Sequence, residues 1–131
     1  EGNGGVIFPE SHYGRDALVG IGLFLTHLAY KNKTVSALRA EYPTYIMSKN
    51  KIELSADLNV DLILVTVAEQ FKDERVNTID GVKIDFTDRW VHLRKSNTEP
   101  IIRIYSEAPT EAEANGLAQQ IMQVIEAIAS K

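Results

Sequence analysis

An α+β fold is predicted for residues 44–131: an antiparallel sheet with two helices on one face, in the order β-α-β-β-β-α. Three observations lead there. Two segments, one after residue 56 and one at the chain end, repeat apolar residues at helical spacing. Between them lie short alternating runs separated by tight-turn signals. The first 43 residues have another texture, a glycine-rich loop followed by helices, and are set apart as a separate region, with any linker near Glu41–Lys51.

Element by element, Glu1-Gly2-Asn3-Gly4-Gly5 is a loop, and Val6–Phe8 is a short apolar run ended by Pro9. A helix is predicted from Gly14 to Lys31. Ala17, Leu18, Ile21, Phe24, Leu25 and Leu28 share one face, but Val19 and Leu23 lie off it. A helix apolar nearly all round needs cover on several sides, so residues 14–31 are expected either to pack on residues 44–131 or to self-associate with another copy of the chain. A shorter helix fits Thr34–Glu41, with Thr34 as cap and Pro43 as stop. Thr44–Leu54 is read as a strand.

Residues 57–74 contain the run Leu62–Val67, which has the composition of a buried strand. Spacing decides for a helix: Val60, Ile63, Leu64, Val67, Ala68 and Phe71 follow i, i+3, i+4, i+7, i+8, i+11, with Asn59 or Asp57 available to cap. Strands follow at Val76–Ile79, Val82–Phe86 after the Asp80-Gly81 turn, Trp90–Arg94 and Ile101–Glu107. The last helix opens on a capping box, Thr110 with Glu113. It carries Ala114, Leu117, Ala118, Ile121, Met122, Ile125 and Ile128 on one face.

Composition narrows the function classes. The chain has 131 residues, 44% hydrophobic and 24% charged, with a net charge of −4. That is ordinary globular composition, and a general nucleic-acid binder would carry a basic surplus. The longest apolar stretch, Ala17–Leu25, is too short to span a bilayer, so neither nucleic acid nor membrane is expected as a partner. There is no cysteine, hence no thiolate metal site or nucleophile; this fits a reducing compartment, and a cytoplasmic location is expected. The chain opens on Glu1 rather than Met and is expected to begin within a longer protein.

Charge is unevenly placed. From Arg89 to Arg103 four cations face one acid, a local +3 within an acidic chain. Inside that window Arg94-Lys95-Ser96-Asn97-Thr98-Glu99-Pro100 joins two strands. Short hydroxyl and amide side chains with turn amides can surround a phosphate while a guanidinium clamps two of its oxygens. Read from the residues alone, the same segment also fits a polar hairpin loop with solvated charges. Arg94 ends a strand, Lys95 points the other way, and Arg103 is expected to come back toward Trp90 and His92.

The Glu1–Gly5 loop is a second candidate, able to hydrogen-bond sugar hydroxyls, though such a turn is commonly only a turn. His12, His27 and His92 lack metal-ligand spacing, and no metal ligands or catalytic residues are assigned in this chain. His27 is read as packed, His92 as sheet-face, and Asp16 as a cap for the first helix. No Gly-Lys-Ser/Thr phosphate loop occurs.

The two loops together resemble a known pair. Arg94-Lys95-Ser96-Asn97-Thr98-Glu99-Pro100 with Arg103-Ile104-Tyr105-Ser106-Glu107 resembles the C-terminal phosphate-binding motif of the α-D-phosphohexomutases. These comprise phosphoglucomutase, phosphomannomutase and phosphoglucosamine mutase. Glu1-Gly2-Asn3-Gly4-Gly5 is similar to the sugar-recognition loop in that family's third domain. The resemblance implies a four-domain parent. It would move a phosphoryl group between the 1 and 6 positions of a hexose through a phosphoserine and Mg²⁺. Both groups belong to the first two domains, so Mg²⁺ is expected outside this chain.

Residues 1–43 would then be the end of the third, sugar-binding domain, and residues 44–131 the C-terminal phosphate-binding domain. The resemblance places Arg94, Ser96, Asn97, Thr98 and Arg103 on the substrate's non-transferring phosphate. It places Glu1 and Asn3 on sugar hydroxyls. It makes a phosphorylated hexose and the remaining domains the partners, and the chain alone inactive. Many family members carry His where this chain has Gly5. The reading from another class is a non-catalytic anion- or phosphate-binding interaction module.

Overall fold

In the computed structural model, which describes residues 4–55, 58–96 and 98–130, the chain divides into two units, Glu1–Pro43 and Thr44–Lys131. In the first, strands β1 (Ile7–Phe8) and β2 (His12–Arg15) form an irregular hairpin, followed by helices α1 (Ala17–Lys31) and α2 (Val35–Arg39). Helix α1 begins at Ala17 rather than Gly14, because His12–Arg15 pairs as a strand. All four of its residues are exposed, so no alternation marks them. Asp16 keeps an extended backbone and its Oδ1 accepts the Val19 N–H at 3.0 Å, an N-cap that satisfies one of the open donors of the first turn. Thr34 caps α2 in the same way through the Ala37 N–H.

The second unit contains β3 (Ile46–Glu53), α3 (Val60–Gln70), β4 (Arg75–Asn77), β5 (Val82–Asp85), β6 (Trp90–Lys95), β7 (Ile101–Ala108) and α4 (Glu111–Ala129). The expected α+β architecture is present. Its five strands are those read element by element from the sequence, one more than the order β-α-β-β-β-α counts, and β4 and β5 pair antiparallel on either side of the expected Asp80-Gly81 turn. Strand β4 stops at Asn77, whose Oδ1 accepts the Ile79 N–H at 2.9 Å and starts the turn. Helix α3 is capped by Asn59 (Leu62 N–H, 3.1 Å); Asp57, the other cap considered, lies outside the described residues. It ends at Gln70 rather than Glu74. The capping box of α4 forms as predicted, with Thr110 Oγ1 accepting the Glu113 N–H and Glu113 Oε2 accepting the Thr110 N–H.

All five strands form one antiparallel sheet in the order β3-β7-β6-β5-β4. Alternate residues on one face, Ile52, Val82, Ile84, Val91, Leu93, Ile102 and Ile104, pack with Ile63, Leu64 and Val67 of α3 and Leu117, Ala118, Ile121 and Ile125 of α4. Both helices therefore cover this face, and alternation sends the polar residues to the other. Ser106 is the buried polar residue among those described. Its hydroxyl donates to the Ala114 carbonyl at 2.7 Å, which offsets the cost of removing it from water. Among the described residues, no helix is long and apolar enough to cross a membrane.

Candidate functional site

Charged side chains are concentrated on the face of the sheet opposite its two helices. Register places Lys51 of β3 opposite Arg103 of β7, and Arg103 opposite Arg94 of β6. Three cations thus form a row across three adjacent strands. Directly opposed residues in an antiparallel pair have Cα atoms about 4.5–5.5 Å apart, close enough for like charges to repel. The arginine row departs from the sequence expectation, in which Arg103 returned toward Trp90 and His92. Strand β6 runs one residue further, to Lys95, and pairs Lys95 with Ile102. That moves Arg103 two positions along β6, onto Arg94. His92 meets Tyr105 instead, and Trp90 meets Glu107, donating its Nε1–H to Glu107 Oε1 at 3.0 Å.

The outer cations have acidic companions. Lys51 Nζ lies 2.9 Å from Glu53 Oε1. That hydrogen bond raises the ammonium pKa and lowers the carboxyl pKa from their ordinary values. Arg94 Nε lies 3.2 Å from Asp80 Oδ2. No ion pair is found for Arg103 among the described residues.

The turn that follows Arg94 is closed by backbone bonds. Ser96 N–H donates to the Ile101 carbonyl at 3.0 Å, and Leu54 N–H donates to the Pro100 carbonyl at 2.9 Å, which ties the turn to the end of β3. Ser96 Oγ accepts the Thr98 N–H at 3.3 Å and lies 3.3 Å from Thr98 Oγ1. Two hydroxyls therefore converge at the same end of the sheet as Arg94 and Arg103. Lys95 points to the helix side, as alternation requires, and pairs with Asp61 at 2.6 Å. Beside this turn, Lys49, Lys51, Glu99, Ile101, Arg103 and Tyr105 line a shallow depression of about 340 Å³.

Of the residues singled out from sequence, Arg94 and Arg103 are cross-strand neighbours and Ser96 and Thr98 lie in the turn that joins their strands, while the two arginines line separate depressions. Asn97, Glu1 and Asn3 lie outside the described residues. Sequence reasoning missed Asp80 and Lys51. Asp80 is visible in sequence only as half of a turn dipeptide, and Lys51 reaches the row through strand pairing across the whole second unit. In the first unit, His12 Nδ1 accepts the Gly14 N–H at 3.0 Å, leaving Nε2 to donate to Asp16 Oδ2 at 3.0 Å. His27 Nε2 lies 3.3 Å from the Tyr42 hydroxyl. Among the described residues no group of three or more His, Cys, Asp or Glu is placed to hold a metal ion.

A five-stranded antiparallel sheet with two helices on one face and a cationic row on the other defines an α+β domain. Residues 50–124 match the family described as phosphoglucomutase/phosphomannomutase, C-terminal domain, and the chain belongs to that family. It is 39% identical to a phosphoglucosamine/phosphogalactosamine mutase of Sulfurisphaera tokodaii, covering 96% of this chain and 28% of that protein. It is 37% identical to a phosphoglucomutase/phosphomannomutase of Thermococcus kodakarensis, again covering 96% of this chain and 28% of the relative. A crystal structure of a phosphoglucomutase/phosphomannomutase family protein from Burkholderia thailandensis has the same fold, with a TM-score of 0.62 at 22% identity over 94% of this chain and 26% of that one. The chain thus spans a little over a quarter of the length of these relatives.

Proposed function

We propose that this chain is the substrate-phosphate-binding end of a phosphohexomutase that interconverts hexose 1-phosphate and hexose 6-phosphate. Arg94, Ser96, Asn97, Thr98 and Arg103 hold the phosphate that is not transferred, and Glu1 and Asn3 contact sugar hydroxyls. The observation that carries this reading is the placing of Arg94 opposite Arg103 at the root of the Ser96–Thr98 turn, inside the segment that matches the family. Neighbouring cations raise each other's energy until an anion lies between them, and a phosphate monoester with nearly two charges supplies one.

Among the described residues no cluster of carboxylate or imidazole groups is placed to hold Mg²⁺. In this reading the metal and the phosphoryl donor are supplied by other domains of a longer cytoplasmic enzyme. Its remaining domains are the partners of this chain. The exposed apolar side chains of α1, Leu18, Ile21 and Leu25 among them, are a surface for those domains or for a second copy.

Binding to this chain alone is expected to be weak, on the order of millimolar, because the ligand is held from one side. Titration of the 131-residue chain with inorganic phosphate or a hexose phosphate should shift the amide signals of Ser96 and Thr98, and Arg94→Ala should abolish the shift. Unchanged titration in that variant overturns the assignment. No turnover of hexose 1-phosphate is expected from the chain by itself.

A further inference from the structure

The Asp80-Gly81 turn is fastened to strand β6 at three points, and the phosphate reading uses none of them. Gly81 has φ +75°, and a Cβ there would stand 2.1 Å from the Leu93 carbonyl oxygen, so the turn backbone lies directly against the strand. The Asp80 carbonyl accepts the His92 Nε2–H at 2.6 Å. The Asp80 carboxylate reaches Arg94, with Oδ2 3.2 Å from Nε. Leu93, His92 and Arg94 are consecutive on β6. Asp80 is therefore fixed by its backbone to the strand that carries the arginine its side chain touches. Asp80, Gly81 and Arg94 also line one depression, together with Asp61, Leu64 and Lys95.

We infer that Asp80 is a positioning residue: it holds the Arg94 guanidinium in the orientation that meets the phosphate. The inference rests on the reading of Arg94 as a phosphate ligand. An arginine loses much rotamer freedom when a ligand immobilises it, and one held beforehand loses less. A guanidinium is planar, so an oxygen fixed at Nε sets the plane of its Nη edge, the edge suited to bidentate recognition of phosphate. The side chains are 40% exposed at Arg94 and 64% at Asp80. An ion pair this open to water contributes little to stability, so the role is read at Arg94 itself and not from unfolding. The carboxylate charge also repels a phosphate, and that effect has the opposite sign.

Two variants separate orientation from charge. Asp80→Asn and Asp80→Ala both remove the charge, but only the first keeps an oxygen for Nε. Inorganic phosphate is titrated into the full chain and its variants, followed by the amide signals of Ser96 and Thr98 and by the Arg94 Nε–H signal. Asp80→Ala should bind about threefold to tenfold more weakly than Asp80→Asn, the range of one side-chain hydrogen bond. The Arg94 Nε–H signal of the native chain and of Asp80→Asn should be resolved from those of freely solvated arginines, and Asp80→Ala should lose that separation. Equal affinity of the two variants overturns the positioning role while phosphate binding stands. So does a native Arg94 Nε–H signal identical to that of a solvated arginine, which needs no variant to fold. Failure of phosphate to shift Ser96 or Thr98 in the native chain overturns the underlying reading, and the inference falls with it.

Discussion

Helices α1 and α4 are both rich in apolar residues, yet they end in opposite situations. None of the 15 residues of α1 is buried, and Leu18 and Leu25 are 80% and 56% exposed. Helix α4 buries Ala114, Leu117, Ala118, Ile121 and Ile125, none more than 3% exposed. The two helices also differ in how their apolar residues are distributed. The apolar residues of α4 fall in one stripe, which one sheet face satisfies. Those of α1 spread around the axis, and no single surface covers such a helix. Apolar content says that a helix will be covered; its angular spread says how many surfaces that takes.

Paired truncation tests this most strongly. Ile121→Ala should cost about 2–5 kcal/mol, while Leu25→Ala should stay within about 0.5 kcal/mol in denaturant unfolding of the full chain. A loss at Leu25 matching that at Ile121 would mean that α1 is covered in solution, and the contrast would break. Next in size is Gly81→Ala, which combines a left-handed backbone with a Cβ in contact with the Leu93 carbonyl. It should lower stability by about 2 kcal/mol or more in a thermal melt.

Ser106→Ala removes the hydroxyl that ties β7 to the Ala114 carbonyl and should cost about 1 kcal/mol in the same assay. The smallest effect sharpens the picture of α1. The Asp16 carboxyl is held below the usual aspartate range, first by the Val19 N–H and then by the His12 side chain. A depressed carboxyl supports the helix above its unfolded pKa, about 4, and loses that support as pH falls through the lower folded value. Helicity followed by circular dichroism from pH 5 downward should decline less in Asp16→Asn than in the native chain, because asparagine caps without titrating.

Much of this structure was legible because its signals are local. The Thr110–Glu113 box and the stripe after it define α4 within one segment, and spacing alone turned Leu62–Val67 from a strand into the middle of α3. What failed was non-local. Strand β2 has four exposed residues and so no period to read; it exists because it pairs with Ile7–Phe8. The candidate turn is legible in its residue types, yet the position of Arg103 is not, since a two-residue difference in the register of β6 against β7 resets which side chains oppose each other. Asp80 went unseen for the same reason. Its partnership with Arg94 is made by a turn folding back on a strand, a relation that no spacing in the sequence encodes.

The sheet order β3-β7-β6-β5-β4 sets a sequence of events in synthesis. Strand β3 is the first of its unit to leave the ribosome, and its partner, β7, is the last strand to follow. Until Ile101–Ala108 emerges, β3 has no strand to pair with and presents an open edge, while β4, β5 and β6 can join through short turns. The arrival of β7 closes the sheet and, in the same step, sets Arg103 beside Arg94. A nascent chain halted before Ile101 would therefore lack both the closed sheet and the paired arginines, so the row Lys51, Arg103 and Arg94 is completed only with the last strand.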